Sequence, residues 1–371
     1  MIGRNFEGIK NLQRQLSEII GVSGYEKPVV DFIQGQIENL VNKMGIDPLG
    51  SLLAIIEGEG GKDRIMIDGH VDEIGFMVSY IDPKGFLRFV PIGGWDSRTL
   101  LSQSVKILAN DNKEFHGIIG SKPPHLTTES ERKDAVKISD MYIDTGMSTK
   151  DEVESCGIHI GSVGTLYDPF VEFPNNIVRG KAFDDRTAVN VLIHIIKEFS
   201  ANTPSDTLLF SFSTQEEVGG RGAGAAAFTL KPTIALAIEN TTAADVPGIK
   251  DSECPTYIGK GPAITVADRS MIAHPFINKR LIANAKHENI PYHIKKPLFG
   301  STNAGSIHQS RGGVPSSVVS VPCRYIHSPA SLLSLEDIHY TINLVSAFIR
   351  NPANVHFNQW IHSFLKENDK R

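Results

Sequence analysis

Residues 63–94 read DRIMIDGHVDEIGFMVSYIDPKGFLRFVPIGG, and the character of the chain changes inside them. Up to Val71 the pattern is a short apolar run bounded by charge, which suits a buried strand. From Gly75 onward it reads as two strands around the turn Asp82-Pro83-Lys84-Gly85. Upstream of the change, helix and strand alternate. Phe6, Ile9, Leu12, Leu16, Ile19 and Ile20 recur at helical spacing. SGYEKPVVDFIQGQIENLV reads as a second helix, with Ser23 and Glu26 in a capping-box pattern. SLLAIIEGEG reads as a buried strand.

Downstream, the β character persists. SVKILANDNKEFHGIIGS reads as another hairpin around Asn110-Asp111-Asn112-Lys113, and MYIDTG and HIGSVGTLYD add short strands. Alternation then returns. FDDRTAVNVLIHIIKEFS places Ala188, Leu192, Ile195, Ile196 and Phe199 on one helical face, with Asn190, His194, Lys197 and Glu198 off it. DTLLFSFST, TIALAIEN, GPAITVADR and SSVVSVPCRYI read as strands; HPFINKRLIANAKHENI and SLEDIHYTINLVSAFIRN read as helices. The expected architecture is an α/β domain made of residues 1–73 and 176–371, interrupted by a small all-β domain at 74–175.

Bulk properties narrow the function classes. The 371 residues suffice for two domains, and the net charge of −5 gives no reason to expect nucleic acid or an anionic membrane as partner. No apolar run approaches a membrane span of roughly 20 residues. The N-terminal stretch lacks the apolar core and cleavage site of a signal peptide. Cys156, Cys254 and Cys323 are scattered and odd in number, so neither a disulfide framework nor a thiolate metal site is expected. A reducing cytoplasm is the expected compartment.

Polar, metal-capable side chains follow several of the strand-like runs. His70 and Asp72 lie two apart, on one face of an extended backbone. Asp184 and Asp185 start a helix, where capping alone accounts for acids. Glu216 and Glu217 stand side by side before the glycines at 219, 220, 222 and 224. Glu239 and His327 close two further strands. Each locus alone has a plain structural explanation. Together they form a mixed nitrogen and oxygen set that suits Zn²⁺ or Co²⁺, provided the strand ends converge as they do in open α/β sheets.

The motifs GVSGYE, DGHVDEIG, GKAFDDR, STQEEVGGRGA, AIENTTAADVPG, GKGPAITVADRSM and GSTNAGSIHQSRGGVPSSVVSVPCRYIHSP occur in this order. With them the chain resembles the glutamyl and tetrahedral aminopeptidases, dinuclear-zinc exopeptidases of which some members carry an endoglucanase label. The resemblance runs nearly end to end and implies a zinc-exopeptidase-like α/β/α sandwich. It implies that His70, Asp184 and Glu239 hold one metal ion and that Asp184, Glu217 and His327 hold a second. Glu216 would be the general base and Asp72 would orient His70. Three positions depart from the family pattern: Glu239 and Asn303, where many relatives have Asp, and Ala188, where Gly is common. Should Glu239 not be a ligand, Asp245 is the next candidate.

The activity so implied is hydrolysis of N-terminal residues from short peptides by a two-metal-activated water. A metal-dependent deacylase is the nearest rival. An endoglucanase-type glycosidase, which needs only two carboxyl groups flanking a glycosidic bond, comes after it. A scaffold with a vestigial site is disfavoured by the intact set. Arg269 is a candidate contact for an acidic substrate side chain. Relatives also form dimers that build twelve-subunit shells, so a homo-oligomer is expected here. The inserted hairpins would bring exposed sheet edges for a partner to cover.

Overall fold

The computed structural model describes residues 6–129, 134–296 and 300–351. Four parallel strands form its centre, in the order Thr207–Ser213, Arg64–His70, Ile234–Thr242, Ser316–Arg324. Leu52–Ile56 and Lys43–Ile46 extend the sheet antiparallel on one side. On the other lie Ser331–Ser334, Ile177–Gly180 and Val171–Phe173. Ala263–Thr265 also pairs with Ser316–Arg324, and His293–Lys295 pairs with Ala263–Thr265.

Strand side chains alternate between the two faces. Ile65 and Ile67 pack with Leu16, Ile33, Leu192, Ile196 and Ile342 from helices Phe6–Glu18, Lys27–Ile37, Phe183–Ala201 and Leu335–Arg350. Met66 points the other way, toward Ala223, Ala226, Ala227 and Ile307 from helices Arg221–Leu230 and Asn303–His308. The result is an α/β/α sandwich. Gly69 and Ala188 allow a close helix–strand approach: a β-carbon at Gly69 would stand 2.7 Å from that of Ala188. The Ala188 methyl thus packs directly over the strand, next to His70.

Six strands between Gly75 and Leu166 close into a barrel with its own core of Phe76, Val78, Leu87, Val105, Ile107, Ile119 and Ile143. The first hairpin turns where the sequence indicates: Asp82 accepts from the Lys84 and Phe86 N–H groups, and Gly85 has φ +83°. Closure removes the open sheet edges expected of these hairpins, so edge pairing supplies no reason for assembly. A buried cluster fixes the barrel to the core. Lys181 Nζ donates to both Glu73 oxygens (2.8 and 2.9 Å), and the Thr165 hydroxyl donates to Glu73 Oε2 (2.9 Å). Val171–Phe173, which the sequence pattern assigns to the insertion, hydrogen-bonds into the large sheet.

Two local expectations differ from the structure. Helix Lys27–Ile37 begins without a side-chain cap, because Ser23 and Glu26 spend their oxygens elsewhere. Asn190 is fully buried under the first helix, donating to Ile9 O (2.9 Å) and Gln13 Oε1 (3.0 Å).

Candidate metal centre

The parallel strands bring their carboxyl ends to one edge of the sheet, where ligands bind in open α/β folds. His70 ends its strand opposite Ser213. Glu216 and Glu217 follow Ser213 in a loop, Glu239 lies near the end of Ile234–Thr242, and His327 follows Arg324 with φ +55°. Asp184 joins them from the start of helix Phe183–Ala201. There Asp184 and Asp185 have non-helical dihedrals and share a cis peptide bond.

The distances are short. His70 Nε2 is 3.2 Å from Asp184 Oδ1, 3.9 Å from Glu239 Oε2 and 4.0 Å from Glu216 Oε2. His327 Nε2 is 3.3 Å from Asp184 Oδ2 and 3.2 Å from Glu217 Oε1. His70 Nδ1 faces the Asp72 carbonyl at 3.1 Å and its Oδ1 at 3.4 Å. Both are acceptors, so in neutral His70 the proton sits on Nδ1 and Nε2 keeps its lone pair. His70, Asp72, Asp184, Glu216, Glu217, Glu239 and His327 therefore converge. Asp185 belongs with them: one oxygen of Asp185 gathers with one of Glu239 and a ring nitrogen of His70 within 4.8 Å. A second group of the same size combines His70, Asp184 and Glu217.

The electrostatics call for a cation. Burial raises Glu216 to about 8, with His70 opposing and Glu217 reinforcing the rise. Burial also pushes Asp185 and Glu239 well above the usual carboxylate range. Burial works against charge on His327, yet Asp184 and Glu217 hold it up to about 11. Carboxylate oxygens and the ring nitrogens of His70 and His327 thus crowd one shared space. Asp185 Oδ1 is buried with no hydrogen-bond partner among the described residues, and Glu217 Oε1 faces only the His327 ring nitrogen. Such orphaned acceptors are costly unless a proton or metal ion meets them. The donor set fits a divalent metal ion.

The departures have local partners. The Asn303 N–H donates to Glu239 Oε1 (2.9 Å), leaving Oε2 toward His70. Its side-chain amide donates to Asp68 Oδ2 (2.8 Å) and Ser213 Oγ (2.9 Å). Asp68, the acid that the Asn303 amide meets, is fully buried and raised to about 6 by that burial. Asp245, the reserve ligand, is engaged with Arg324 at 2.7 and 2.8 Å. Arg269 is exposed, and its backbone N–H donates to the Gly300 carbonyl. Sequence patterning missed Asp68, Ser23 and Glu26. A buried strand acid at Asp68 was the available signal for the first; the other two imitate a helix cap.

An open cleft leads to the centre and is lined by Trp95, Phe183, Asp184, Glu217, His327 and Pro329 among others. Among the described residues no helix is long and apolar enough to cross a membrane.

Residues 50–344 match the family described as M42 glutamyl aminopeptidase. The lysyl aminopeptidase of Pyrococcus furiosus is 31% identical, the alignment covering 93% of this chain and 98% of that one. A TET aminopeptidase structure from a marine-sediment Thaumarchaeota archaeon superposes with a TM-score of 0.92 at 38% identity, over 96% of this chain and 99% of that one. The TET1 peptidase of Pyrococcus horikoshii, described as assembling into a tetrahedron or a large octahedral shell, superposes with a TM-score of 0.83 at 29% identity. That superposition covers 92% of this chain and 99% of the other.

Proposed function

This chain belongs to the M42 glutamyl aminopeptidase family and is a metal-dependent aminopeptidase, and on that premise we propose that it trims N-terminal residues from short peptides at a centre for two divalent ions, zinc or cobalt. One observation carries the two-ion reading. Asp184 turns Oδ1 toward His70 and Oδ2 toward His327, at 3.2 and 3.3 Å, as a bridging carboxylate must. His70, Asp184 and Glu239 would hold the first ion, with Asp185 close enough to assist. Asp184, Glu217 and His327 would hold the second.

When bound, such a pair acidifies water and polarises the scissile carbonyl. The protein's own residues do the rest. Glu216 takes the proton of the attacking water and returns it to the leaving amine. Its placement beside the centre, with Oε2 4.0 Å from His70 Nε2, suits a group that must accept and release a proton there. Asp72 holds the Nδ1 proton of His70 and thereby keeps Nε2 directed into the centre. By resemblance to the family, the free α-amine of a peptide would sit near a metal-bound carboxylate, giving exopeptidase rather than deacylase action. A glycosidase would have no use for the two imidazoles. We assign the large-sheet domain, which includes Val171–Phe173, to catalysis, and the barrel between Gly75 and Leu166 to a domain that also supports a homo-oligomeric, shell-like assembly in the cytoplasm. The three cysteines, all unpaired, agree with that compartment.

Metal analysis of dialysed and reconstituted protein tests the core of this reading. Two ions per chain at full activity are expected. Full activity with one ion or none refutes the shared role of Asp184. An aminoacyl-anilide panel beside N-acyl analogues separates aminopeptidase from deacylase and reports the preferred first residue.

A further inference from the structure

The loop carrying Glu216 and Glu217 lies outside the strands and helices, and its backbone is held by side chains. Three successive N–H groups are taken up by two buried carboxylates. Glu26 Oε1 accepts from Gln215 at 3.1 Å and from Gly24 at 2.7 Å. Asp72 Oδ1 accepts from Glu216 at 3.0 Å, and Asp72 Oδ2 accepts from Glu217 at 3.1 Å. The Ser23 hydroxyl donates to the same Oδ2 at 2.6 Å. Ser23 and Glu26 belong to the turn between helices Phe6–Glu18 and Lys27–Ile37, remote in sequence from the loop. The turn is tied down in its own right: Ser23 N–H donates to Glu73 O, and Glu73 N–H donates to Gly21 O.

The loop needs this hold. Gln215 has φ +59°, a region that costs a residue with a β-carbon and persists only where the surroundings enforce it. The two glutamates must also diverge. Glu216 Oε2 reaches toward His70 Nε2 at 4.0 Å, while Glu217 Oε1 reaches His327 Nε2 at 3.2 Å. Adjacent residues can serve two histidines only if the backbone between them follows one path.

We propose that Ser23 and Glu26 are positioning residues for the Gln215–Glu217 loop, acting from the N-terminal helical turn to aim Glu216 and Glu217 at different histidines. Ser23 acts through Asp72, which clamps both glutamate N–H groups. Glu26 acts directly on Gln215. The inference rests on the roles given above to Glu216 and Glu217.

The test uses the full-length chain reconstituted with Co²⁺. Glu26→Ala, Glu26→Gln, Ser23→Ala and, as control, Glu216→Gln are compared for kcat, KM, metal content, thermal midpoint and cobalt absorption. A displacement of about 1 Å at a reacting group costs up to roughly a hundredfold in rate. Glu26→Ala is therefore expected to lose about ten- to a hundredfold in kcat, with KM nearly unchanged, two ions retained and an altered cobalt spectrum. Glu26→Gln keeps an acceptor oxygen and should recover most of the loss. Ser23→Ala should show a smaller loss of the same kind. The proposal is overturned if Glu26→Ala keeps wild-type kcat and spectrum, or if Glu26→Gln is as impaired as Glu26→Ala. Should Glu26→Ala not fold, Ser23→Ala decides. Lower kcat at unchanged KM and metal content supports the clamp, and wild-type kcat overturns it. A fully active Glu216→Gln would instead remove the catalytic reading, while the cobalt spectra still report whether the loop has moved.

Discussion

The α/β core and the six-stranded barrel bury their strands in opposite ways. The barrel builds largely from hairpins such as Gly75–Ile81 with Leu87–Ile92 and Ser104–Leu108 with Glu114–Gly120, and it closes on itself. Between Gly75 and Leu166 its buried polar residues, among those described, are Ser162 and Thr165. In the core, strand Arg64–His70 lies between two strands from the far half of the chain. Asp68, His70, Asp72, Glu73, Asp185 and Glu239 are all buried there. Parallel strands point their ends the same way, so a site with several acids assembles at one edge. Antiparallel hairpins alternate their ends, and the barrel keeps an apolar interior.

The sharpest way to break this contrast is to separate chemistry from ligation within the core. Glu216→Gln should retain both ions and lose about 10²–10⁴-fold in kcat, the usual cost of losing a general acid–base group. Glu217→Gln should chiefly lower metal content, since Glu217 Oε1 is the buried acceptor facing His327. Rates and metal content measured on the same preparations decide. A Glu216→Gln variant at wild-type rate would dissolve the division of labour between the two neighbours.

A smaller effect is expected one layer down. Asn303→Asp would set a second carboxylate against Asp68, at the place where the amide now donates at 2.8 Å. Two buried acids sharing one site cannot both ionise, and the shift should pass through the Asn303 N–H to Glu239. About a tenfold loss of activity and roughly 1–3 kcal/mol of stability, the scale of a buried unsatisfied group, are expected. Combining Asn303→Asp with Asp68→Asn restores one acid and one amide and should recover most of both. If the double exchange is no better than the single one, the pair is not the unit that seats Glu239. Denaturant unfolding and kcat for the single and double variants supply the comparison.

The same layering explains what the sequence discloses. Strand period and turn chemistry are local, so the hairpins, the parallel strands and the acids at their ends are legible. The turn at Asn110–Lys113 even shows its required conformation, with positive φ at Asp111 and Asn112. Long-range partners are not legible. Ser23 and Glu26 have the spacing of a capping box, but Asp72 and Gln215 compete for their oxygens and win. Asn190 looks like a surface residue until the first helix covers it. Lys43–Ile46 has little apolar pattern because the strand is largely exposed at the sheet edge. Convergence of the site was an inference from fold geometry and family resemblance, and spacing alone never contained it.

The smallest effect tests whether the barrel stands apart from the chemistry at all. Its loop after Leu87–Ile92 reaches back over the centre. A β-carbon at Gly93 would collide with Ile74 at 2.4 Å, and one at Gly94 would touch His327 Nδ1 at 3.4 Å, so this backbone lies against the site. Trp95 follows, half-buried, its indole N–H donating to the Gly75 carbonyl at 2.7 Å. Its ring lines the same cleft as Asp184, Glu217 and His327. The barrel therefore supplies a wall to the cleft as well as any surface for assembly. An apolar wall contacts bound substrate and transition state alike, so its loss should raise KM and leave kcat nearly unchanged. Trp95→Ala is expected to raise KM about three- to tenfold, up to roughly 1.4 kcal/mol of binding, with kcat within about twofold and the oligomer unaltered by light scattering. Trp95→Phe keeps a ring and should lie between the two. Unchanged KM in Trp95→Ala would confine the barrel to assembly, whereas a large fall in kcat would mean that the loop sets the position of Glu217 or His327 itself.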